Sequence, residues 1–189
     1  MISKRRGLGG RLVTTSVTLV AALITGPGIA AGADAAPDVA VKAALLYNFA
    51  KFAEWPALLS GAPIAFCVVS DDGIAAALVE TVRGQNINGH TLDVSRPQDS
   101  ATWRVCHLLF IADAETRRSA VGLGGVKTLP ILTVSDGKGF AQADGVIELY
   151  VEGGRMRFAI NVDAVERAGL RLSSRLLGLA KVVRSGHGQ

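Results

Sequence analysis

Two alternating runs meet at Gly153-Gly154, and this feature most narrows what the chain can become. Val146–Glu152 and Arg155–Ile160 flank the pair of glycines. A two-residue Gly-Gly connection favours a primed turn, since glycine accepts positive φ at both central positions. The turn sets Val151 against Met156, Leu149 against Phe158 and Ile147 against Ile160. The opposite face then carries Glu152 with Arg155 and Tyr150 with Arg157. One face is apolar and the other polar, so a slip of one residue would invert both. The chain must therefore contain an antiparallel hairpin with a fixed register.

Apolar runs at Ile64–Ser70, Val105–Ala112 and Leu129–Ser135 read as buried strands, and Thr91–Ser95 as a further one after an Asn88-Gly89 turn. Short helices are expected after Gly73 up to about Val82, and over Ala114–Val121. Ahead of them, Val39–Glu54 reads as a helix capped by Asp38 and ended by Pro56. Its apolar stripe is Val41, Ala44, Leu45, Asn48, Phe49 and Phe52, with Leu46, Tyr47 and Ala50 on the outer side. After the hairpin, Asn161 or Val162 opens a helix that Gly169 closes. Ser173 caps a last helix to about Arg184, with Leu172, Leu176, Leu179 and Val183 inward. This order predicts an α/β fold: a single-domain sandwich with a mixed, partly parallel sheet, a β-hairpin in the C-terminal half and flanking helices. Residues 34–38 and the tail after Val183 read as loose ends.

The first 33 residues read as a secretory signal, with 34–189 as the folded domain. Lys4, Arg5, Arg6 and Arg11 are its positive region, and Leu12–Ile24 its apolar core. Ala31-Gly32-Ala33 supplies the small residues that signal peptidase requires. The apolar run is too short to span a bilayer comfortably, so no membrane span is expected after cleavage. Cleavage changes the charge argument. The isoelectric point of the whole sequence is about 9.4. Four of its 20 basic residues precede position 33, however, and none of its 16 acidic residues does. The processed chain is neutral, which removes the electrostatic case for a nucleic-acid partner.

Cys67 and Cys106 are the two cysteines. In an oxidising compartment an even count invites a bridge, the alternative being two buried thiols on different faces of the sheet. If the two lie on neighbouring parallel strands, the bridge is geometrically awkward. His90, His107 and His187 lack ligand spacing, so no metal or other cofactor is expected, and His107 reads as a hydrogen-bonded core residue. Asp71, Asp72, Asp113 and Asp136 follow the ends of the expected parallel strands. There they would hold Mg²⁺ or cap the following helix or turn, and an exported chain favours capping. No nucleophile, base and oxyanion hole are assembled by any motif, so the chain reads as a binding protein and not an enzyme.

Five segments carry a resemblance. They are Val41–Pro56 (VKAALLYNFAKFAEWP), Cys106–Ile111 (CHLLFI), Leu132–Asp136 (LTVSD), Phe158–Asp163 (FAINVD) and Ala168–Leu177 (AGLRLSSRLL). In order and spacing the chain resembles the YfiR family. The resemblance implies a periplasmic regulator that forms a homodimer and restrains an inner-membrane diguanylate cyclase by binding its periplasmic domain, which lowers cyclic di-GMP and opposes biofilm growth. It also implies that Cys67 and Cys106 are a redox-sensitive pair, either switch or staple. A second bridge found in such proteins has no cysteines here. Candidate partner-binding residues are Leu46 and Tyr47 on the outer side of the first helix, Trp55 at its end, and Arg171 and Arg175, one helical turn apart, with Glu166 nearby. The arginines suit carboxylate contacts, or bridge internally to Glu166 or Asp163. A periplasmic small-ligand sensor without a cyclase partner is the competing reading, with its site near Asp71, Asp113 and Asp136.

Overall fold

The computed structural model describes residues 35–56, 58–70, 73–118 and 123–185. The signal-peptide reading, Asp71, Asp72 and His187 lie outside the described residues. Helix α1 (Ala35–Lys51) is followed by the short strand β1 (Ala53–Glu54) and then β2 (Ile64–Val69). Next come α2 (Ile74–Val82) and β3 (Leu92–Ser95). A 3₁₀ turn, Ser100–Val105, is capped by Asp99, whose side chain accepts from Ala101 N. It leads into β4 (Leu108–Ile111), α3 (Asp113–Arg118) and β5 (Leu132–Ser135). The hairpin strands β6 (Ile147–Glu152) and β7 (Arg155–Asn161) follow. The chain ends with α4 (Val162–Arg167), β8 (Arg171–Leu172), α5 (Ser174–Leu177) and β9 (Lys181–Val183).

The fold is α/β. Seven strands form one sheet in the order β3-β2-β4-β5-β6-β7-β9, while β1 pairs with β8 in a separate ribbon. Strands β3, β2, β4, β5 and β6 run parallel, β7 returns antiparallel, and β9 lies parallel to β7. The hairpin register is the one its alternation demands, from Ile147↔Ile160 to Glu152↔Arg155, with positive φ at Gly153 and Gly154. Chain order reverses between β2 and β4, which places a topological switch point at their carboxyl ends.

Alternation along the strands divides the core in two. Ile64, Phe66, Val68, Leu108, Phe110, Leu132, Val134, Ile147, Leu149 and Ile160 join residues of α1, α2 and α4 in one large cluster. We call this side the helix face. On the other side, the thin face, Cys67, Leu109, Ile111 and Ile131 meet Trp103, Cys106 and Val126. Among the described residues the cover over this cluster comes from short 3₁₀ turns and loops.

Several expectations require correction. In α1 the buried stripe is Ala43, Leu46, Phe49 and Ala50, while Val41, Ala44 and Asn48 face outward. A helix apolar on nearly every side has no unique phase, and the alanine-rich stripe lets its backbone approach the sheet closely. Asp38 lies within the first turn and not before it, since the helix begins at Ala35. The chain leaves α1 at Lys51 and turns extended, so that Ala53 pairs with Leu172. The last helix is one turn long. Ser173 caps it by accepting from Leu176 N, but Lys181–Val183 then forms a strand, and Leu179 is 69% exposed. The β-branched Val182 and Val183 fit the free edge of β7 better than a fourth helical turn.

Candidate functional site

The bridge joins Cys67 on β2 to Cys106, with the Cα atoms 5.8 Å apart. Cys106 precedes β4 and closes the 3₁₀ turn, its N–H donating to Trp103 O. It is therefore not a ladder neighbour of Cys67, which stands opposite Leu109. The awkward geometry expected between paired parallel strands does not arise, because the extended Cys106 backbone lies outside the ladder and the separation is ordinary. His107 follows directly. Its Nδ1 accepts from Ala65 N at 3.1 Å, and Trp55 Nε1 donates to its carbonyl at 3.1 Å. Burial pushes the pKa of His107 down and nearby His90 adds to the effect, so the ring is held neutral.

At the carboxyl ends of β4 and β5 a charged cluster joins α1 to the sheet, with Lys42 buried and both carboxylates half-buried. Lys42 Nζ reaches Asp136 Oδ2 at 2.8 Å and Asp38 Oδ2 at 2.7 Å. Asp136 Oδ1 accepts from Asp113 N at 2.7 Å, which caps the start of α3. Burial pulls the Lys42 pKa down, but Asp136 and Asp38 more than offset it and hold the ammonium above the ordinary lysine range. Asp136 is thus committed to structure, and no group of His, Cys, Asp or Glu able to hold a metal ion occurs among the described residues. Sequence reading passed over Lys42, although Asp38 four residues before it and its isolation in an apolar helix mark it as a buried partner.

The thin face changes character toward β6 and β7. Thr133 Oγ1 accepts from Val146 N, Glu148 Oε2 from Ala141 N, and Asn161 Nδ2 donates to Ala141 O. These buried side chains satisfy the backbone of the β5–β6 connection, which has no helix of its own. Asn161 Oδ1 also caps α4 by accepting from Ala164 N. The residue before the undescribed tail is not loose: Ser185 Oγ accepts from Asn161 Nδ2 and Arg167 Nη2 and donates to Asp144 Oδ1, while its N–H donates to Asp163. The hydrogen bond from Ser185 holds the Asp144 carboxyl below the ordinary range; burial opposes this, and Arg167 and Lys127 add to it. Beside this network opens a cleft of about 630 Å³, whose lining includes Lys138, Gln142, Glu148, Tyr150 and Lys181.

The candidate partner-binding residues do not form one patch. Leu46 is 0% exposed and Trp55 7%, both in the helix-face core, so neither is a surface contact. Tyr47 is half-buried, its hydroxyl donating to Gln85 Oε1 at 3.2 Å, with Lys51 Nζ 5.4 Å from its ring. Glu166, Arg171 and Arg175 are exposed. Arg171 lies on β8 opposite Glu54 and Arg175 on α5, so a strand and a cap separate them and they share no helical face. Among the described residues none of these three enters an ion pair; Asp163 is taken by Arg184.

Among the solved structures the chain is similar to a conserved domain protein from Vibrio cholerae, at 13% identity and a TM-score of 0.45. The similarity covers 76% of this chain and 59% of that one, so this chain spans less than two thirds of that chain's length. No curated protein sequence matches it. The family model described as YfiR/HmsC-like matches residues 39–181, from the second turn of α1 to the start of β9. With the match running through nearly every described element, this chain belongs to the YfiR/HmsC-like family.

Proposed function

We propose that this protein is an exported, non-catalytic regulator that binds the periplasmic domain of an inner-membrane diguanylate cyclase and holds cyclic di-GMP output low. The observation that carries the reading is the family match over residues 39–181. The described structure agrees with a binding role. Its strongly placed titratable groups, Lys42, Asp136 and Asp144, are each engaged in holding one element to another. His107 is neutral and accepts from a backbone amide, which leaves its Nδ1 unavailable as a base. A disulfide suits an oxidising compartment. On this reading the protein acts as a homodimer, and Tyr47, Glu166, Arg171 and Arg175 are surface candidates for contact.

The test is cellular cyclic di-GMP in the native host with this chain deleted and then restored. A rise on deletion that reverses on restoration is the expected result. An unchanged level in both strains overturns the reading.

A further inference from the structure

Seven strands give the sheet two margins, and the β9 margin carries several cations. By alternation Arg155, Arg157 and Ala159 of β7 lie on the thin face, and Lys181 stands beside Ala159 in the β7–β9 register. Lys138 reaches the same region from across the cleft. Among the described residues none of Lys138, Arg155, Arg157 and Lys181 enters an ion pair, whereas Lys42, Arg83, Lys127, Arg167 and Arg184 each do. The acids close by are largely occupied. Asp136 holds Lys42 and Asp113 N, and Glu148 is buried and accepts from Ala141 N. Only Glu152, at the hairpin tip opposite Arg155, is exposed. In a processed chain of zero net charge, this margin concentrates uncompensated cations.

Strand β9 also ends the sheet, so among the described residues one side of its backbone has no ladder partner. Unlike a frayed end it is anchored, by Ser185 and by Arg184 pairing with Asp163 at 2.6 Å. We propose that this margin receives an extended acidic segment of a partner protein, which adds as a strand along β9 and lays alternate carboxylates over Lys181 and Arg157. The inference rests on the reading of the chain as a binding regulator and names the chemistry of its partner. Strand addition supplies main-chain hydrogen bonds, and alternate side chains supply selectivity. A second copy fits poorly: antiparallel pairing of two β9 strands about Val182 and Val183 sets Lys181 against Arg184, and like charges directly opposite repel. An anionic bilayer offers charge but no complement to a strand edge.

The test uses the full processed protein and a fluorescein-labelled peptide of about ten residues alternating Glu and Val, long enough to lie along one strand edge. Anisotropy should rise with the Glu/Val peptide, fall with added salt, and stay flat with a Lys/Val counterpart. The double variant Arg157→Glu, Lys181→Glu should bind about tenfold or more weakly with an unchanged melting curve, since neither side chain is buried. Equal binding of both peptides, no binding of either, or unaltered binding by the folded double variant overturns the proposal. So does capture by phosphatidylglycerol vesicles in place of the peptide. Restoring the deleted host with the double variant separates the two ideas. If wild type and variant both restore low cyclic di-GMP, the regulator stands and this docking margin falls. If deletion itself has no effect, the regulator reading falls and the peptide assay alone decides the margin.

Discussion

The two faces of the central sheet are built on different principles. The helix face is covered by α1, α2 and α4 and holds a continuous cluster that includes Phe49, Phe66, Phe110 and Leu46. The thin face has a small cluster around Trp103 and Ile131, one covalent bridge, and then a polar region stitched by Thr133, Glu148 and Asn161. Burial of apolar area stabilises without direction and tolerates adjustment. A bridge and side-chain-to-backbone hydrogen bonds fix positions with little area. The helix face therefore supplies most of the apolar burial, and the thin face fixes positions through directed contacts.

The sharpest way to break the comparison is to place a charge under α1. Leu46→Glu should unfold the domain or cost about 5 kcal/mol, because a carboxylate in that core has no partner. Tyr47→Glu, one residue away and half-exposed, should cost about 1 kcal/mol or less in urea denaturation. Equal losses would mean that the helix is seated in the other phase. Next in size is the bridge. Reducing Cys67–Cys106, which closes a separation of 39 residues, should lower stability by about 4 kcal/mol in the chain-entropy view. Free thiols should appear only after reduction, and reactive thiols in the native oxidised protein would contradict the pairing.

Lys42→Met should cost about 3 kcal/mol, since it removes a buried ammonium and leaves the half-buried Asp136 beside the first amide of α3 without its counter-charge. On the thin face, Asn161→Ala removes a cap and two further hydrogen bonds and should cost about 2 kcal/mol. The smallest effect is a pH dependence. The folded-state pKa of His107 is below its ordinary 6.5, so between those values the unfolded chain binds more protons. Stability from this group is complete above 6.5 and declines as pH falls through it. Melting curves of the wild type and His107→Gln should converge on acidification; parallel curves would show that the ring already carries a proton in the fold.

The sequence was most legible where a local rule had only one solution. Gly153-Gly154 with strict alternation allows one register, and Asn161 and Ser173 cap the helices expected of them. The phase of α1 was not legible, because Ala43-Ala44-Leu45-Leu46 offers two apolar stripes and only the position of Asp136 and the sheet decides between them. Leu172, Leu176, Leu179 and Val183 satisfy helical spacing, yet β7 offered an edge that no local pattern could announce. The same holds for the candidate site. Lys138, Arg157 and Lys181 come together only through strand order, and Arg171 and Arg175 come apart through a two-residue strand.

That two-residue strand has a consequence for how the molecule comes into being. Ala53 and Glu54 pair with Leu172 and Arg171, and Ser173 N donates to Phe52 O, so the exit of the first helix is held by nearly the last segment of the chain. Contacts so distant in sequence form late, because a long loop must close before they gain anything. Once β2 to β7 have formed, α1 can already be seated through Leu46, Phe49 and the Lys42–Asp136 pair, but the exit of that helix cannot be fixed until residue 173 is available. Until then the segment after α1 lacks its anchor. The clasp between β1 and β8 thus ties the exit of α1 to a segment distant in sequence, and that corner of the fold closes late.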